Sequence, residues 1–177
     1  MKRIVYLGNL IEVLEKLCGR KDLLIAGWVV EKEDDQKGRL AELAKAINVP
    51  CYAVGSRREL TSALKSCEPL DLGLIANFGL ILNARQIRIP KKGFVNAHLG
   101  ILPDYPGRRP IEKVLKNGGV TTGVTLHRVT AQVDAGPILA QKMIAIGAKR
   151  TNHDVLARLA RIAPALIDEK LSSLLHE

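Results

Sequence analysis

The chain has 177 residues, and 27 lysines and arginines against 18 acidic residues give it a formal charge of +9. A composition 47% hydrophobic and 25% charged excludes a disordered or fibrous chain, and no apolar run approaches the roughly 20 residues of a membrane span. Cys18, Cys51 and Cys67 have no CxxC spacing and fit a reducing cytoplasm better than a disulfide frame. The Lys2-Arg3 start is soon followed by Glu12 and Glu15 with no small-residue cleavage site, so no signal peptide is expected.

Residues 2–7 read as a short strand closed by Gly8. Over 10–18, Leu10, Val13, Leu14 and Leu17 recur at helical spacing, and Gly19 supplies a stop. The run 23–30 is almost wholly apolar, as a strand buried on both faces requires. A charged loop over 31–38 leads to a helix near 38–47, and Pro50 ends it. A third strand at Cys51–Val54, a helix over 57–66 and a buried strand over 70–76 follow. This strand–helix alternation predicts a Rossmann-like α/β fold: an open, mostly parallel sheet flanked by helices, with right-handed crossovers.

The second half reads differently. Strands are expected at Phe94–Ala97, Gly123–Val129 and Ile138–Ile146, with a helix near 109–117 closed by Gly118-Gly119. β-Branched Thr122, Val124, Thr125 and Val129 suggest an added, antiparallel strand. Thr151 and Asp154 form a capping-box pattern opening a C-terminal helix, which Pro164 should kink or split. One domain over 1–177 is expected: a βαβ half at 1–69, a half carrying the chemistry at 70–146 and a helical segment at 147–177.

The charge is uneven. Between Arg85 and Lys116 stand eight basic residues against Asp104 and Glu112, about two-thirds of the whole surplus. Only six aromatics occur, too scattered for a base-stacking platform, so a small acidic ligand or a phosphate suits this stretch better than nucleic acid.

Residues capable of chemistry gather after the fourth main strand. Asn96 and His98, at i and i+2, share one face of a strand that ends in the irregular loop 99–107. Ligands of open α/β sheets bind outside the carboxyl ends of strands, and there Asn and His supply a hydrogen-bond donor and a titratable acid/base. A histidine on a strand also serves purely structural ends. Asp134 precedes Ala135-Gly136-Pro137; it is either a turn former or a catalytic carboxylate. His127, His153 and His176 have no partner at metal-ligand spacing, and no metal is expected. Leu7-Gly8-Asn9 is a fragment of a glycine-rich turn.

Asn96-Ala-His98-Leu-Gly-Ile-Leu102-Pro103, then Tyr105-Pro-Gly107 and Pro110, then Thr122-Gly123-Val124-Thr125-Leu126-His127, then Asp134-Ala-Gly136-Pro137 through Gln141, make four motifs in order. Over residues 70–141 they resemble the folate-dependent formyltransferase family, which includes glycinamide ribonucleotide transformylase, the N-terminal domain of methionyl-tRNA formyltransferase and sugar-nucleotide N-formyltransferases. The first 69 residues match only in element order.

The resemblance implies the formyltransferase fold, 10-formyltetrahydrofolate as co-substrate and a primary amine as acceptor. It implies that Asn96 supports the formyl oxygen, that His98 donates a hydrogen bond or proton, and that Asp134 orients His98 and helps remove the ammonium proton. It implies folate contacts at Phe78, Gly79, Leu80, Ile81 and Leu82 and at Ala135 and Gly136, with Arg85–Lys92 near the glutamate carboxylates. A hydrolase of 10-formyltetrahydrofolate, using water instead of an amine, is the alternative, as is transfer to a purine-pathway or aminoacyl-tRNA acceptor. The reduced Leu7-Gly8-Asn9 turn counts against glycinamide ribonucleotide, and the tRNA enzyme's C-terminal domain has no counterpart here. The partner expected is therefore a small-molecule amine, phosphorylated or bound to a sugar nucleotide, with no nucleic acid, no membrane and a homodimer as the candidate assembly.

Overall fold

A computed structural model describes residues 1–34, 37–147 and 150–176. Asp35 and Gln36 of the predicted charged loop, Ala148 and Lys149 of the C-terminal segment, and Glu177 lie outside the described residues. The first half alternates as the apolar runs require: β1 (Lys2–Gly8), α1 (Ile11–Cys18), β2 (Leu23–Glu31), α2 (Lys37–Ala46), β3 (Cys51–Val54), α3 (Arg57–Ser66) and β4 (Leu72–Ala76). Then come α4 (Ala84–Ile87), β5 (Phe94–His98), α5 (Pro110–Lys116), β6 (Thr121–Arg128), β7 (Ile138–Ala145) and α6 (Asn152–His176).

The seven strands form one sheet in the order β3-β2-β1-β4-β5-β6-β7. β1 to β5 pair in parallel, while β6 and β7 add antiparallel, so the β-branched run is the expected added strand. Alternation within strands fills two cores. Tyr6, Trp28 and Leu74 pack on one face with α1, α5 and α6; Val5, Val29 and Ile75 pack on the other with α3.

The turn leaving β1 is held from both sides. Gly8 has φ +140°, and a Cβ there would lie 1.8 Å from the Ala76 carbonyl oxygen, so only glycine fits. The buried Trp28 indole donates to the Gly8 carbonyl at 2.7 Å, and the Tyr6 hydroxyl accepts from the Leu10 N–H at 3.1 Å. At the other end, Thr151 and Asp154 make the reciprocal bonds of a capping box: Asp154 N–H to Thr151 Oγ1 at 3.2 Å, Thr151 N–H to Asp154 Oδ2 at 3.0 Å.

Two expectations need correction. Pro164 does not split the C-terminal helix, which runs unbroken from Asn152 to His176. Leu159, Ala160 and Ala163 before the proline and Leu166 and Ile167 after it are buried, and that packing outweighs one missing N–H. The four-residue α4 was not anticipated; Asn83 and Gln86 cap it reciprocally.

Candidate active site

β5 ends in the middle of the sheet, where parallel pairing with β4 gives way to antiparallel pairing with β6. Asn96 and His98 project there from one face of β5. The antiparallel register sets His127 opposite Asn96 and Thr125 opposite His98. Thr125 is a brace: its hydroxyl donates to the Gly100 carbonyl at 2.7 Å and accepts from the Leu102 N–H at 3.2 Å. Gln141 on β7 donates to the Leu102 carbonyl at 2.7 Å and to Thr125 Oγ1 at 3.0 Å. The loop after β5 is thus tied back onto β6 and β7.

That loop returns the Tyr105 carbonyl to His98, whose Nε2 lies 2.8 Å from it. A carbonyl only accepts, so Nε2 carries the proton and Nδ1 is bare in the neutral ring. His98 Nδ1 stands 3.4 Å from Asp134 Oδ2, and His127 Nε2 stands 3.4 Å from Asp134 Oδ1. One carboxylate therefore bridges two imidazoles. Asp134 adopts a left-handed φ of +51°, uncommon outside glycine, and accepts the Gly107 N–H at 2.7 Å.

His127 Nδ1 lies 2.9 Å from the Arg128 carbonyl, which assigns its proton to Nδ1 by the same logic. Its Nε2 then accepts one N–H of the Asn96 amide at 3.2 Å, leaving the second N–H for a ligand. The sequence placed His127 at the end of the Thr122–His127 motif and weighed it as a metal ligand, but gave it no role in the chemistry.

The electrostatics follow from burial. His98 is 6% exposed, and desolvation holds its pKa below the ordinary 6.5, against the opposing pull of Asp134 and the Tyr105 carbonyl. At neutral pH it is an uncharged base. Burial also pushes Asp134 upward, but the contacts it has once the two rings are protonated, a hydrogen bond from His127 and the charge on His98, together with the Gly107 N–H, outweigh it. They hold the carboxyl at about 2.

Two cavities meet at Asn96 and His98. The smaller, of about 140 Å³, is lined by all five of Phe78–Leu82, with His127, Val129, Val133 and Asp134. Among the described residues the backbone N–H and C=O groups of Leu80 and Leu82 make no hydrogen bond within the chain, so they are free for a ligand. The larger, of about 310 Å³, is polar: Asn9, Glu31, Asn77, Arg108, Arg109 and Asn152 line it beside Asn96 and His98.

The structure thus brings Asn96, His98, Asp134 and Phe78–Leu82 together. Ala135 and Gly136 line neither cavity. Gly136 lies against β6, where a Cβ would approach the Arg128 carbonyl oxygen to 1.9 Å. Of the basic stretch, Arg85, Arg88, Lys91 and Lys92 also line neither cavity, while Arg108 lines both. Among the described residues no group of three or more His, Cys, Asp or Glu side chains is placed to hold a metal ion, and no helix is long and apolar enough to cross a membrane.

Comparison with known proteins bears on this geometry. The family model described as formyl transferase matches residues 26–171. The methionyl-tRNA formyltransferase of Thermotoga neapolitana is 32% identical over 97% of this chain, which spans 58% of that protein's length. Two solved structures share the fold. Glycinamide ribonucleotide transformylase 1 from Symbiobacterium toebii superposes with a TM-score of 0.81 at 23% identity, covering 96% of this chain and 85% of its own. A formyltetrahydrofolate deformylase from Pseudomonas syringae gives 0.82 at 21% identity, covering 99% of this chain and 61% of its own.

Proposed function

Since the chain belongs to the formyl transferase family, we propose that it moves the formyl group of 10-formyltetrahydrofolate onto a primary amine. The observation that carries this reading is the meeting of an apolar and a polar cavity at Asn96 and His98. A donor in one and an acceptor in the other place formyl carbon and amine at the same two side chains. The smaller cavity fits a folate ring: apolar walls, with the unclaimed backbone groups of Leu80 and Leu82 for a flat, hydrogen-bonding heterocycle.

As the amine attacks, charge develops on the formyl oxygen. The second N–H of Asn96, fixed by His127, is placed to receive it, a role whose removal typically costs about 10²–10³ in rate. His98 is neutral and offers Nδ1 as a base facing Asp134, so the proton taken from the ammonium forms an imidazolium beside a carboxylate. The Nε2–H of His98 serves the Tyr105 carbonyl, so the proton taken up at Nδ1 is the one His98 can pass to the leaving folate nitrogen. Asp134 thus acts as the charge that both rings face.

The hydrolase alternative has a specific weakness. A water molecule needs only about 15 Å³ of cavity space, whereas the polar cavity at Asn96 and His98 offers about 310 Å³ and a lining of amides and charges, room for a far larger acceptor. Such a space suits a molecule. Methionyl-tRNA, the acceptor in the relative's name, enters the test on equal terms with small amines. The expectation against nucleic acid rested on scattered aromatics and on where the chain ends, and the second ground carries no weight for a chain spanning 58% of its relative.

The test is to incubate the protein with 10-formyltetrahydrofolate and a panel of amines that includes methionyl-tRNA. An acceptor gaining the mass of one formyl group is the expected result; formate release with no formylated amine would refute the proposal.

A further inference from the structure

Glu31 is the last residue of β2 and lines the polar cavity. β2 neighbours β1, and the turn leaving β1 brings Asn9 to the same cavity. In dinucleotide-binding sheets that carry a full glycine-rich first turn, an acidic side chain roughly 20 residues beyond that turn binds a ribose hydroxyl; this chain keeps only the Leu7-Gly8-Asn9 part of the turn. Here Glu31 follows Gly8 by 23 residues. Its Oε2 accepts the Gly79 N–H at 2.8 Å, while among the described residues Oε1 accepts no hydrogen bond. Gly79 has no side chain to cover that oxygen; a Cβ there would stand 2.9 Å from it.

We propose that Glu31 is the acceptor-specificity residue, receiving two adjacent hydroxyls of a sugar ring on the acceptor. The inference rests on the reading of the polar cavity as the acceptor site. A carboxylate accepts from two neighbouring O–H groups at once and repels a phosphate, so it selects a diol and not an anion. It is also the wrong place for the reacting amine, because pairing with Glu31 would keep an ammonium protonated and unable to attack. The amine belongs at the Asn96 and His98 end of the cavity and the diol at the Glu31 end. Arg109 is paired with Glu112 at 3.5 Å, whereas Arg108, whose guanidinium reaches the same Gly79 as Glu31, has no ion pair among the described residues and suits a phosphate lying beyond the diol on the same molecule. An aminoacyl-tRNA lacks the selected group, since its terminal ribose carries an ester on one of the two hydroxyls.

The diol has two sources, a ribose or a hexose, and titration calorimetry on the full chain separates them. One arm uses uridine 5′-diphosphate against its 2′-deoxy counterpart; the other uses glucosamine 6-phosphate. Glu31→Gln retains an oxygen for the Gly79 N–H but loses the charge, and Glu31→Ala loses both. At least one diol probe should bind the native protein, and Glu31→Gln should raise its Kd roughly 10- to 100-fold. If the ribose is the source, 2′-deoxygenation should weaken native binding but leave Glu31→Gln unaffected. If the hexose is, only glucosamine 6-phosphate should respond to the substitution. Binding of neither probe at millimolar concentration, or equal affinities for native protein and Glu31→Gln, overturns the proposal. So does tight binding of methionyl-tRNA that Glu31→Gln leaves unchanged. These titrations contain no formyl donor, so their failure is separable from failure of formyl transfer.

Discussion

Replacing Asp134 by Asn isolates a charge. Asn tolerates the left-handed φ of +51° as well as Asp does, and its amide oxygen can still accept the Gly107 N–H. What disappears is the carboxylate lying 3.4 Å from both His98 and His127. That carboxyl is held at about 2 instead of 3.8, with burial opposing and the His127, His98 and Gly107 contacts prevailing. At about 1.4 kcal/mol per pH unit, that displacement makes up to about 2.5 kcal/mol of favourable interaction with the charged form. An imidazolium forming on His98 during turnover forfeits its own share of that sum, up to about 30-fold in rate. Loss of assistance to proton transfer adds to it, so kcat should fall by at least about 100-fold. The stability effect has a defined sign. A depressed carboxyl contributes fully above the unfolded value of 3.8 and loses that contribution as pH falls toward 2. Urea unfolding at pH 7 and 5 should therefore show the variant less stable by up to about 2.5 kcal/mol, with the gap closing below pH 4. Steady-state turnover with the established acceptor is the second assay. A kcat within threefold of the native value, alongside reduced stability, would make Asp134 a turn former and refute the catalytic argument.

Burial keeps His98 below 6.5, so the acid limb of kcat/KM should fall below pH 6.5, and a limb at or above that value in a pH–rate profile would contradict the neutral-base role. His98→Ala should lower kcat by about 10²–10⁴ with the circular dichroism spectrum unchanged. Thr125→Val leaves the Gly100 carbonyl, the Leu102 N–H and the Gln141 amide without their shared partner, and should cost about 1–3 kcal/mol in urea unfolding. Gly136→Ala drives a methyl to 1.9 Å from the Arg128 carbonyl oxygen. It should destabilise by more than about 1 kcal/mol and lower kcat by displacing Asp134, although Gly136 lines neither cavity.

What the residues disclosed in advance, and what they hid, divides along the range of the interactions. The apolar runs at 23–30 and 70–76 announce buried parallel strands because residues of both faces pack into a core, Leu24 being the exposed exception, and β2 and β4 stand there. The Thr151–Asp154 cap is equally local, readable at a spacing of three. α4 escaped because four residues carry no helical period; only Asn83 and Gln86, again three apart, marked it. Pro164 misled because a local rule was applied where tertiary packing decides.

At the site, Asn96 and His98 were legible because a period of two puts them on one face whatever lies beside the strand. His127 was not, since its value comes from a register: one residue of slip between β5 and β6 would turn it from Asn96 into the opposite core. Periodicity identifies β6 as a strand without saying which residue it faces. Glu31 was hidden differently, at the head of the charged run Glu31-Lys32-Glu33-Asp34, where composition makes every member look like solvated surface. Its placement depends on β2 ending beside β1, so that one carboxylate of that run turns inward to the Gly79 N–H. A group whose importance lies in which strand end it occupies becomes visible only once the sheet order is known.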